Sequence, residues 1–239
     1  MRANGRKADE LRKVEILPGY IEYPEGSVLI TVGKTKVLCN ATIQEGVPRW
    51  MQTQGIAGGW VTGEYAMLPR STVERSNREV SASGGRAQEI RRLIGRSLRA
   101  AVDLEKLGSH TCILDCDVLQ ADGGTRTAAV TGAFVALAIA LRKLSERGDL
   151  GENVIKSAVA ATSVGIVNGL AVLDLCYEED SRAEVDVNVV MNDKGEFIEI
   201  QATGEEGTFR RSALDDLLDL AYKGIGELLV LQRTVLSSA

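Results

Sequence analysis

The sequence has a single histidine and no long apolar run. We interpret His110 as a structural residue, so histidine-based acid–base catalysis is not expected. The longest apolar stretch, residues 128–141, is interrupted by Thr131 and Gly132, whereas a membrane helix needs about 18 to 20 apolar residues in succession. Residues 1–13 are polar and of mixed charge, without the apolar segment of a signal peptide. These absences predict a cytoplasmic protein with no membrane span.

Cysteine is also scarce, and none of the cysteines has the spacing of a metal or redox pair. Cys39, Cys112, Cys116 and Cys176 all lie in alternating apolar runs, where a thiol packs as a small buried side chain. Cys112 and Cys116 are separated by three residues instead of the two typical of such pairs. With one histidine in the chain, four convergent ligands for tetrahedral zinc are not expected. A zinc site is therefore excluded.

Basic charge is in the minority over the whole chain but is concentrated in one stretch. The net charge is −5, yet residues 66–106 have a net charge of +4 and residues 107–239 a net charge of −10. A short basic stretch of this kind suits a polyanionic ligand, although it is also typical of a solvated surface.

Apolar periodicity predicts an α+β protein. Alternation of apolar residues indicates strands, and helical spacing indicates three helices. The predicted strands are 14–24, 28–32, 35–43, 111–120, 158–167, 170–177, 184–191 and 196–202. The predicted helices are 86–107, 127–147 and one that begins at about Ser212, whose hydroxyl suits an N-cap. Residues 44–83 are expected to form a long irregular segment. No linker is evident, so residues 1–239 are predicted to form one domain of two layers, with helices packed on mixed sheets.

A glycine turn before the second predicted helix is a candidate anion site. Gly123 and Gly124 let the backbone approach a ligand closely, and the N–H groups at a helix N-terminus attract anions. Thr125 adds a hydroxyl donor and Arg126 a planar guanidinium suited to phosphate. A tight turn with a capping threonine and a surface arginine is the alternative.

A second phosphate-binding candidate, Gly33-Lys34-Thr35, resembles the end of a Walker A loop. That motif requires a glycine five residues before Gly33, where this chain has Val28. The segment also lies in a predicted β-hairpin and not between a strand and a helix, so this candidate is rejected.

The predicted helix 86–107 follows a second pair of glycines. Arg86, which comes directly after Gly84-Gly85, is placed to hold an anion at the helix start. Arg92, Arg96 and Arg99 share the opposite face of this helix. They are consistent with contacts to a polyanion, with a subunit interface, or with a solvated face that holds weak ion pairs.

An acidic segment precedes the seventh predicted strand. Residues 178–180 are all acidic, and Glu184, Asp186 and Asn188 share one strand face by alternation. Oxygen ligands of this kind suit Mg²⁺ or Mn²⁺, while a solvated acidic turn is the alternative.

Taken together, these segments resemble the ribonuclease PH family over nearly the whole chain. The matching residues are Glu25–Leu29, Thr35–Cys39, Glu45–Arg49, Glu64–Thr72, Gly84–Arg86 with Glu89 and Ile90, Leu114–Thr127, and Glu179–Ser181 with Glu184, Asp186 and Asn188.

The resemblance implies a fold like that of the second domain of ribosomal protein S5. It also implies a homo-hexameric ring, a trimer of dimers, that binds RNA. The implied activity is phosphate-dependent 3′→5′ exoribonuclease activity, which trims tRNA precursors and releases nucleoside diphosphates. A hydrolytic metal-dependent exoribonuclease and a non-catalytic RNA-binding ring subunit remain as alternatives.

The resemblance also assigns roles to individual residues. The implied phosphate-binding residues are Arg86, Gly124, Thr125 and Arg126. The implied catalytic pair, associated with Mg²⁺ or Mn²⁺, is Asp180 and Asp186. The implied RNA-binding residues are Arg70, Arg75 and Arg78, to which we add Arg92 and Arg96. Two features depart from the family pattern, Arg91 and the segment 202–206, and neither is expected to contact the catalytic positions.

Overall fold

The computed structural model describes residues 2, 5–78, 84–151, 153–205 and 207–239, and in these residues nine strands form two sheets. The strands are β1 Val14–Pro18, β2 Gly26–Val32, β3 Thr35–Glu45, β4 Trp60–Met67, β5 His110–Gln120, β6 Val159–Val167, β7 Leu170–Leu173, β8 Val185–Asn192 and β9 Phe197–Gly204. The first sheet has the order β1-β2-β3-β5-β4, in which only the β4–β5 pair is parallel. The second sheet, β7-β6-β8-β9, is antiparallel throughout.

Helices cover both sheets. Those in the described residues are α1 Arg49–Gln54, α2 Gly85–Ala101, α3 Leu104–Leu107, α4 Thr125–Glu146, α5 Tyr177–Asp180 and α6 Arg211–Ser238. Helix α4 packs against β2 and β3 of the first sheet and against β6 of the second, while α6 packs mainly on the second sheet. The α+β prediction is therefore confirmed.

Helix α4 is apolar on nearly all sides because it lies between the two sheets. It is long and apolar enough to span a membrane by composition alone, but 89% of its most apolar window is buried inside the fold. Its composition is that of a core helix.

The hairpins are where the turn residues predict them. Val32 of β2 is paired with Thr35 of β3, and Asn168 and Gly169 connect β6 to β7 with positive φ angles of 51° and 71°. Asn-Gly favours such turns because both residues tolerate the left-handed region.

Two predicted strands are shorter than expected. The first ends at Pro18 instead of residue 24, and Gly19, at φ 68°, turns the chain away from the sheet. The strand predicted for 170–177 ends at Leu173 because Asp174 adopts a positive φ of 55°, and Tyr177 already begins α5.

The prediction that residues 44–83 are irregular is wrong at residues 49–54 and 60–67, where α1 and β4 lie. Residues 79–83 of this segment lie outside the described residues. The apolar pattern of β4 is weakened by Gly63, which faces the core. A Cβ atom there would lie 2.6 Å from Ile94 Cγ2 of α2. The close approach of α2 and β4 thus requires glycine at this position. Because glycine has no apolar side chain, the alternation that predicts a strand is weakened here.

The predicted helix 86–107 is interrupted. Val102 is extended and forms an isolated bridge with Ile155, so α2 ends at Ala101. The side chain of Asp103 then accepts a hydrogen bond from Lys106 N and caps the short helix α3. The N-cap predicted at Ser212 is also wrong, because α6 begins one residue earlier, with Arg210 in the N-cap position.

Candidate active site

The glycine turn lies at the buried start of α4. Gly123 and Gly124 have φ angles of 76° and 65°, a left-handed conformation that glycine adopts without strain. The turn is fixed by Thr35, whose hydroxyl donates to Gly123 O at 2.7 Å and accepts from Asp122 N at 2.9 Å. Thr35 belongs to the rejected Walker-like segment, so it supports the turn from the neighbouring hairpin instead of binding phosphate in a loop of its own.

A polar cavity of about 760 Å³ opens beside this helix start. It is lined by Arg86, Glu89, Arg126, Asp180, Ser181, Ala183, Asp186, Asn188, Ile200, Gln201, Ala202, Thr203 and Glu205. Four of the predicted site residues, two arginines and two aspartates, therefore meet in one place. They come from the starts of α2 and α4, from α5 and from β8.

Arg126 is held at the cavity wall by polar contacts. Its Nη1 donates to Gln201 Oε1 at 2.9 Å and lies 3.5 Å from Glu89 Oε1. The side chain is only 15% exposed, whereas Arg86 is exposed at the cavity rim. Two guanidinium groups thus bring positive charge into the cavity, as an anion site requires.

The two aspartates provide the negative side of the cavity. Burial raises the pKa of Asp180, although the charges of Arg86 and Arg126 act against this shift. Burial, followed by the charge of Asp180, raises the pKa of Asp186 to about 6. Asn188 Nδ2 donates to Asp186 Oδ2 at 3.2 Å, and among the described residues no group donates to the buried Oδ1 atom.

These carboxylates fit a hard divalent cation. An unpartnered buried oxygen on Asp186, with a second carboxylate close enough to raise its pKa, is what a cation would neutralise. The described residues include no cluster of three or more His, Cys, Asp or Glu side chains arranged for a metal. Mg²⁺ needs no such cluster, because it commonly uses one or two carboxylates together with substrate phosphates.

Thr125 is the first residue of α4, next to Arg126, but it is not among the residues that line the cavity. Its side chain is buried, and its hydroxyl shares a 2.8 Å hydrogen bond with the phenol of Tyr65 on β4. Gly124 occupies the N-cap of α4. Both residues remain predicted phosphate ligands. Tyr65 was not predicted, since it lies 60 residues before Thr125 and no local motif connects them.

The other predicted RNA-binding arginines lie outside this cavity. Arg70, Arg75 and Arg78 are exposed along the segment after β4. Arg92 and Arg96 are exposed on α2, where Arg96 forms an ion pair with Glu199 of β9. Their predicted role in RNA binding therefore concerns a surface outside the cavity.

The third arginine of the α2 face, Arg99, has partners within the chain. Its guanidinium stacks on the Trp60 ring, 4.4 Å from the centroid, and donates to Val61 O at 2.9 Å. These contacts with the first sheet account for the place of Arg99 on the helix without an external ligand.

The departures from the family pattern have different locations. Arg91 pairs with Glu64 in a separate groove, as expected of a residue away from the catalytic positions. The expectation is wrong for the segment 202–206, because Ala202, Thr203 and Glu205 line the cavity and the charge of Glu205 helps to raise the pKa of both aspartates. Glu206, like Ser83 before α2, lies outside the described residues.

Glu184, which was expected to share a strand face with Asp186 and Asn188, lies one residue before β8 and is not among the residues that line the cavity. Its Oε1 accepts a hydrogen bond from Gly169 N in the β6–β7 turn at 2.8 Å.

Sequence reasoning also missed a cluster of buried charges below the cavity. Arg2, Arg12, Asp174 and Glu179 are all less than 9% exposed. Although burial alone would raise the pKa of Glu179, hydrogen bonds from Arg2 and from Cys176 N lower it to about 2. The partners are more than 160 residues apart in sequence, so no local pattern indicates them.

Comparison with known proteins agrees with this arrangement. The chain matches the two domains of the 3′ exoribonuclease family, domain 1 over residues 10–143 and domain 2 over residues 157–224. It is 57% identical to ribonuclease PH of Bacillus pumilus over 239 residues, which cover 98% of each chain. It is 56% identical to ribonuclease PH of Corynebacterium glutamicum over 98% of this chain and 96% of the other.

Among solved structures, the Archaeoglobus fulgidus exosome with RNA bound to its active site superimposes with a TM-score of 0.78 and 26% identity. The match covers 95% of this chain and 91% of the exosome chain. The chain therefore belongs to the ribonuclease PH family of 3′ exoribonucleases.

Proposed function

We propose that this protein is a phosphate-dependent 3′→5′ exoribonuclease that releases nucleoside diphosphates from RNA. The observation that carries the proposal is the meeting of Arg86 and Arg126 with Asp180 and Asp186 in one cavity. A hydrolase needs to bind only the scissile phosphate, whereas this cavity combines two guanidinium groups, one of them at the start of α4, with two carboxylates. Such a site suits inorganic phosphate as the second substrate.

The proposed reaction begins with phosphate held by Arg86, Arg126, the Thr125 hydroxyl and the N–H groups at the start of α4. A phosphate oxygen attacks the phosphorus of the last phosphodiester, and the bond from phosphorus to the 3′ oxygen of the preceding nucleotide breaks in line. The proton that hydrogen phosphate loses goes to the 3′ oxygen, so the shortened RNA leaves with a 3′ hydroxyl and the terminal nucleotide leaves as a diphosphate. Because phosphate is already anionic at neutral pH, catalysis depends mainly on positioning and charge stabilisation.

Asp180 and Asp186 are the residues that we propose to hold Mg²⁺ or Mn²⁺. When bound, such an ion neutralises charge that develops on the scissile phosphate. Asp186 Oδ1, which has no hydrogen-bond donor among the described residues, supports this assignment, and Asn188 orients the other carboxylate oxygen through its hydrogen bond.

The proposed cellular substrate is the 3′ end of tRNA precursors, and the proposed assembly is a homo-hexameric ring made of three dimers. High identity to ribonuclease PH proteins over the full chain supports both. We propose that Arg70, Arg75, Arg78, Arg92 and Arg96 contact the RNA outside the cavity, as their exposed guanidinium groups allow. We also propose that residues 1–239 act as one catalytic domain, because the cavity takes residues from both halves of the chain. The cytoplasm is the proposed location of the protein.

The test is to incubate the purified protein and Mg²⁺ with a 3′-extended tRNA, with and without inorganic phosphate, and to identify the released nucleotides. Nucleoside diphosphates that appear only with phosphate are the expected result. Nucleoside monophosphates released without phosphate would establish hydrolysis instead. A lack of product in both conditions, with RNA still bound, would indicate a non-catalytic RNA-binding subunit.

A further inference from the structure

Three arginines near the N-terminus, Arg2, Arg6 and Arg12, make buried contacts beneath the active site. We refer to them as the N-terminal arginines. Their side chains are 3%, 9% and 4% exposed, which is unusual because arginine is seldom fully buried unless it is paired. Their partners are two buried carboxylates, Asp174 and Glu179.

Arg12 connects the loop after β7 to the glycine turn. Its Nε and Nη2 donate to the two carboxylate oxygens of Asp174 at 2.9 and 2.6 Å, and its backbone N–H donates to Asp174 Oδ2 at 2.8 Å. The same guanidinium donates through Nη1 to the backbone oxygens of Asp122 and Gly123. Arg12 therefore fixes the turn that immediately precedes Thr125 and Arg126.

Arg2 fixes the short helix that contains Asp180. Its Nε and Nη2 donate to the two oxygens of Glu179 at 2.7 Å each, and Nη2 also donates to Asp174 O at 3.1 Å. Arg6 reaches the same two acidic residues, donating to Asp174 O at 2.9 Å and to Glu179 Oε2 at 3.3 Å. The backbone between Asp174 and Glu179 is thus held at both ends by arginines from one segment.

The two loops held in this way touch each other. A Cβ atom on Gly123 would lie 2.6 Å from Leu175 O and 2.7 Å from Cys176 C, so the glycine turn packs against the backbone that leads to Asp180. This contact sets the position of the glycine turn, and of Arg126 after it, relative to the backbone that leads to Asp180. Arg12 contacts both sides of this contact, whereas Arg2 and Arg6 contact the side that leads to Asp180.

A gain in stability alone does not explain this cluster of buried ion pairs. Burying ion pairs requires their desolvation, which the attraction between the charges often does no more than offset. Several of the hydrogen bonds end on backbone oxygens of the two site loops. Such contacts fix the positions of the two loops, and a misplacement of about 1 Å in an active site can lower the rate by about a hundredfold.

We propose that the N-terminal arginines are positioning residues of the active site. Arg12 sets the glycine turn that binds phosphate, and Arg2 sets the helix that presents Asp180. This inference rests on the proposed phosphorolytic function. Two of the three arginines, Arg2 and Arg6, precede the region matched to the family, which begins at residue 10.

The test compares Arg2→Lys and Arg12→Lys, which keep the positive charge but lose the planar fork with which guanidinium grips a carboxylate. We expect Arg12→Lys to raise the KM for phosphate by about tenfold and Arg2→Lys to lower kcat by about tenfold with a smaller change in that KM. Lys223→Ala is the matched control, because Lys223 pairs with Asp9 of the same N-terminal segment on the surface, away from the cavity. It is expected to leave both constants unchanged.

A second measurement requires no turnover. Amide hydrogen exchange is expected to quicken at Gly123-Gly124 in Arg12→Lys and at Glu179-Asp180 in Arg2→Lys, and to stay at the wild-type rate in Lys223→Ala. If Arg2→Lys does not fold, Glu179→Gln replaces it, since it keeps the side-chain size and is expected to lower kcat in the same direction. If Arg12→Lys does not fold, Asp174→Asn replaces it and is expected to raise the KM for phosphate.

Folded variants with wild-type kcat, phosphate KM and exchange rates would overturn the positioning role. Equal losses in kcat and rises in KM in both lysine variants, with faster exchange throughout the chain, would also overturn it, because that pattern indicates general destabilisation. If the wild-type protein releases no diphosphates, the proposed function fails, while the exchange measurement still decides the positioning role.

Discussion

Asp186 is a carboxyl group whose negative charge the folded protein disfavours. Burial, followed by the charge of Asp180, raises its pKa to about 6, whereas an unfolded aspartate titrates near about 3.9. When folding raises the pKa of a carboxyl group, it lowers the free energy of unfolding. This effect is complete at pH values above the pKa of the folded state and absent at pH values below the pKa of the unfolded state. We expect Asp186→Asn to increase the free energy of unfolding by up to about 3 kcal/mol near pH 8 and by almost nothing near pH 3.5. Urea unfolding at the two pH values checks this, and a gain that is the same at both would contradict it.

The same carboxyl group gives a test for the cation without any reaction. If Asp180 and Asp186 hold Mg²⁺ or Mn²⁺, the ion stabilises the folded state by about 2.7 kcal/mol at a hundred times its Kd. We expect either metal to raise the Tm of the wild-type protein at neutral pH and to have little effect on Asp186→Asn. Asp193→Asn, a change at an exposed aspartate outside the cavity, is expected to respond like wild type. An equal metal-induced rise in all three proteins would argue against the assignment.

Arg126 allows the phosphate side to be tested separately. Its guanidinium faces the cavity and is held by Gln201 and Glu89, so its removal takes away an anion ligand without disturbing the apolar core. We expect Arg126→Ala to raise the KM for phosphate by about tenfold to a hundredfold, in line with the loss of a charged hydrogen bond. Steady-state rates over a range of phosphate concentrations measure this, with the exposed Arg211→Ala as control. Unchanged phosphate dependence would remove Arg126 from the phosphate site.

At this scale, the sequence predicts residues that belong to a short motif and misses those that act across the fold. Arg86 and Arg126 could be named because glycine turns mark their positions. Asp180 and Asp186 lie in an acidic segment, and the resemblance to the family singled them out in it. Tyr65 could not, since its hydrogen bond to the site joins it to a residue 60 positions away in sequence. The N-terminal arginines were missed for the same reason, because a polar N-terminus has the composition of a solvated segment until its distant partners are known.

At the scale of elements, segments with regular apolar periodicity are predicted well from the sequence, whereas features imposed by packing between elements are not. The β2–β3 hairpin and α4 were expected because alternation or continuous apolar character is their strongest signal. Strand β4 was missed since its central inward position is occupied by Gly63, which only the approach of α2 explains. The break at Val102 was missed too, because the residue is as apolar as a continuing helix would require.

Gly63 therefore makes the β4–α2 contact testable. An added methyl group would lie 2.6 Å from Ile94 Cγ2 and 2.9 Å from Ile94 Cβ, so helix and strand would have to separate. We expect Gly63→Ala to lower the free energy of unfolding by about 1 to 3 kcal/mol, as overpacking usually does. Gly226→Ala in α6, where the added group meets open space, is expected to be stabilising by about 0.5 to 1 kcal/mol. Urea denaturation measures both, and a neutral Gly63→Ala would show that α2 can shift without strain.

At the scale of the whole molecule, the two halves of the chain share one interior. Buried residues after residue 153, among them Val159, Ala161 and Val190, belong to the same apolar cluster as the first sheet and α4. Buried polar contacts join the halves as well. Ala161 N donates to Thr131 Oγ1 at 3.0 Å, and Gln232 Nε2 donates to Thr131 O and to Val159 O at 2.9 and 3.0 Å. A cavity whose arginines and aspartates come from different halves keeps its geometry only if these contacts hold.

This continuity predicts that the halves unfold together. Both tryptophans, Trp50 and Trp60, lie in the first half, so their fluorescence reports on that half, while far-UV circular dichroism also follows α6 in the second. At a fixed protein concentration we expect the two signals to give one coincident transition. Thr131→Val leaves the Ala161 N–H without its partner, which costs about 1 to 3 kcal/mol, and it should move both signals to lower denaturant by the same amount. A variant in which the circular dichroism shifts while the tryptophan signal stays in place would mean that the halves are separate folding units, and the active site would then depend on their docking instead of on a shared core.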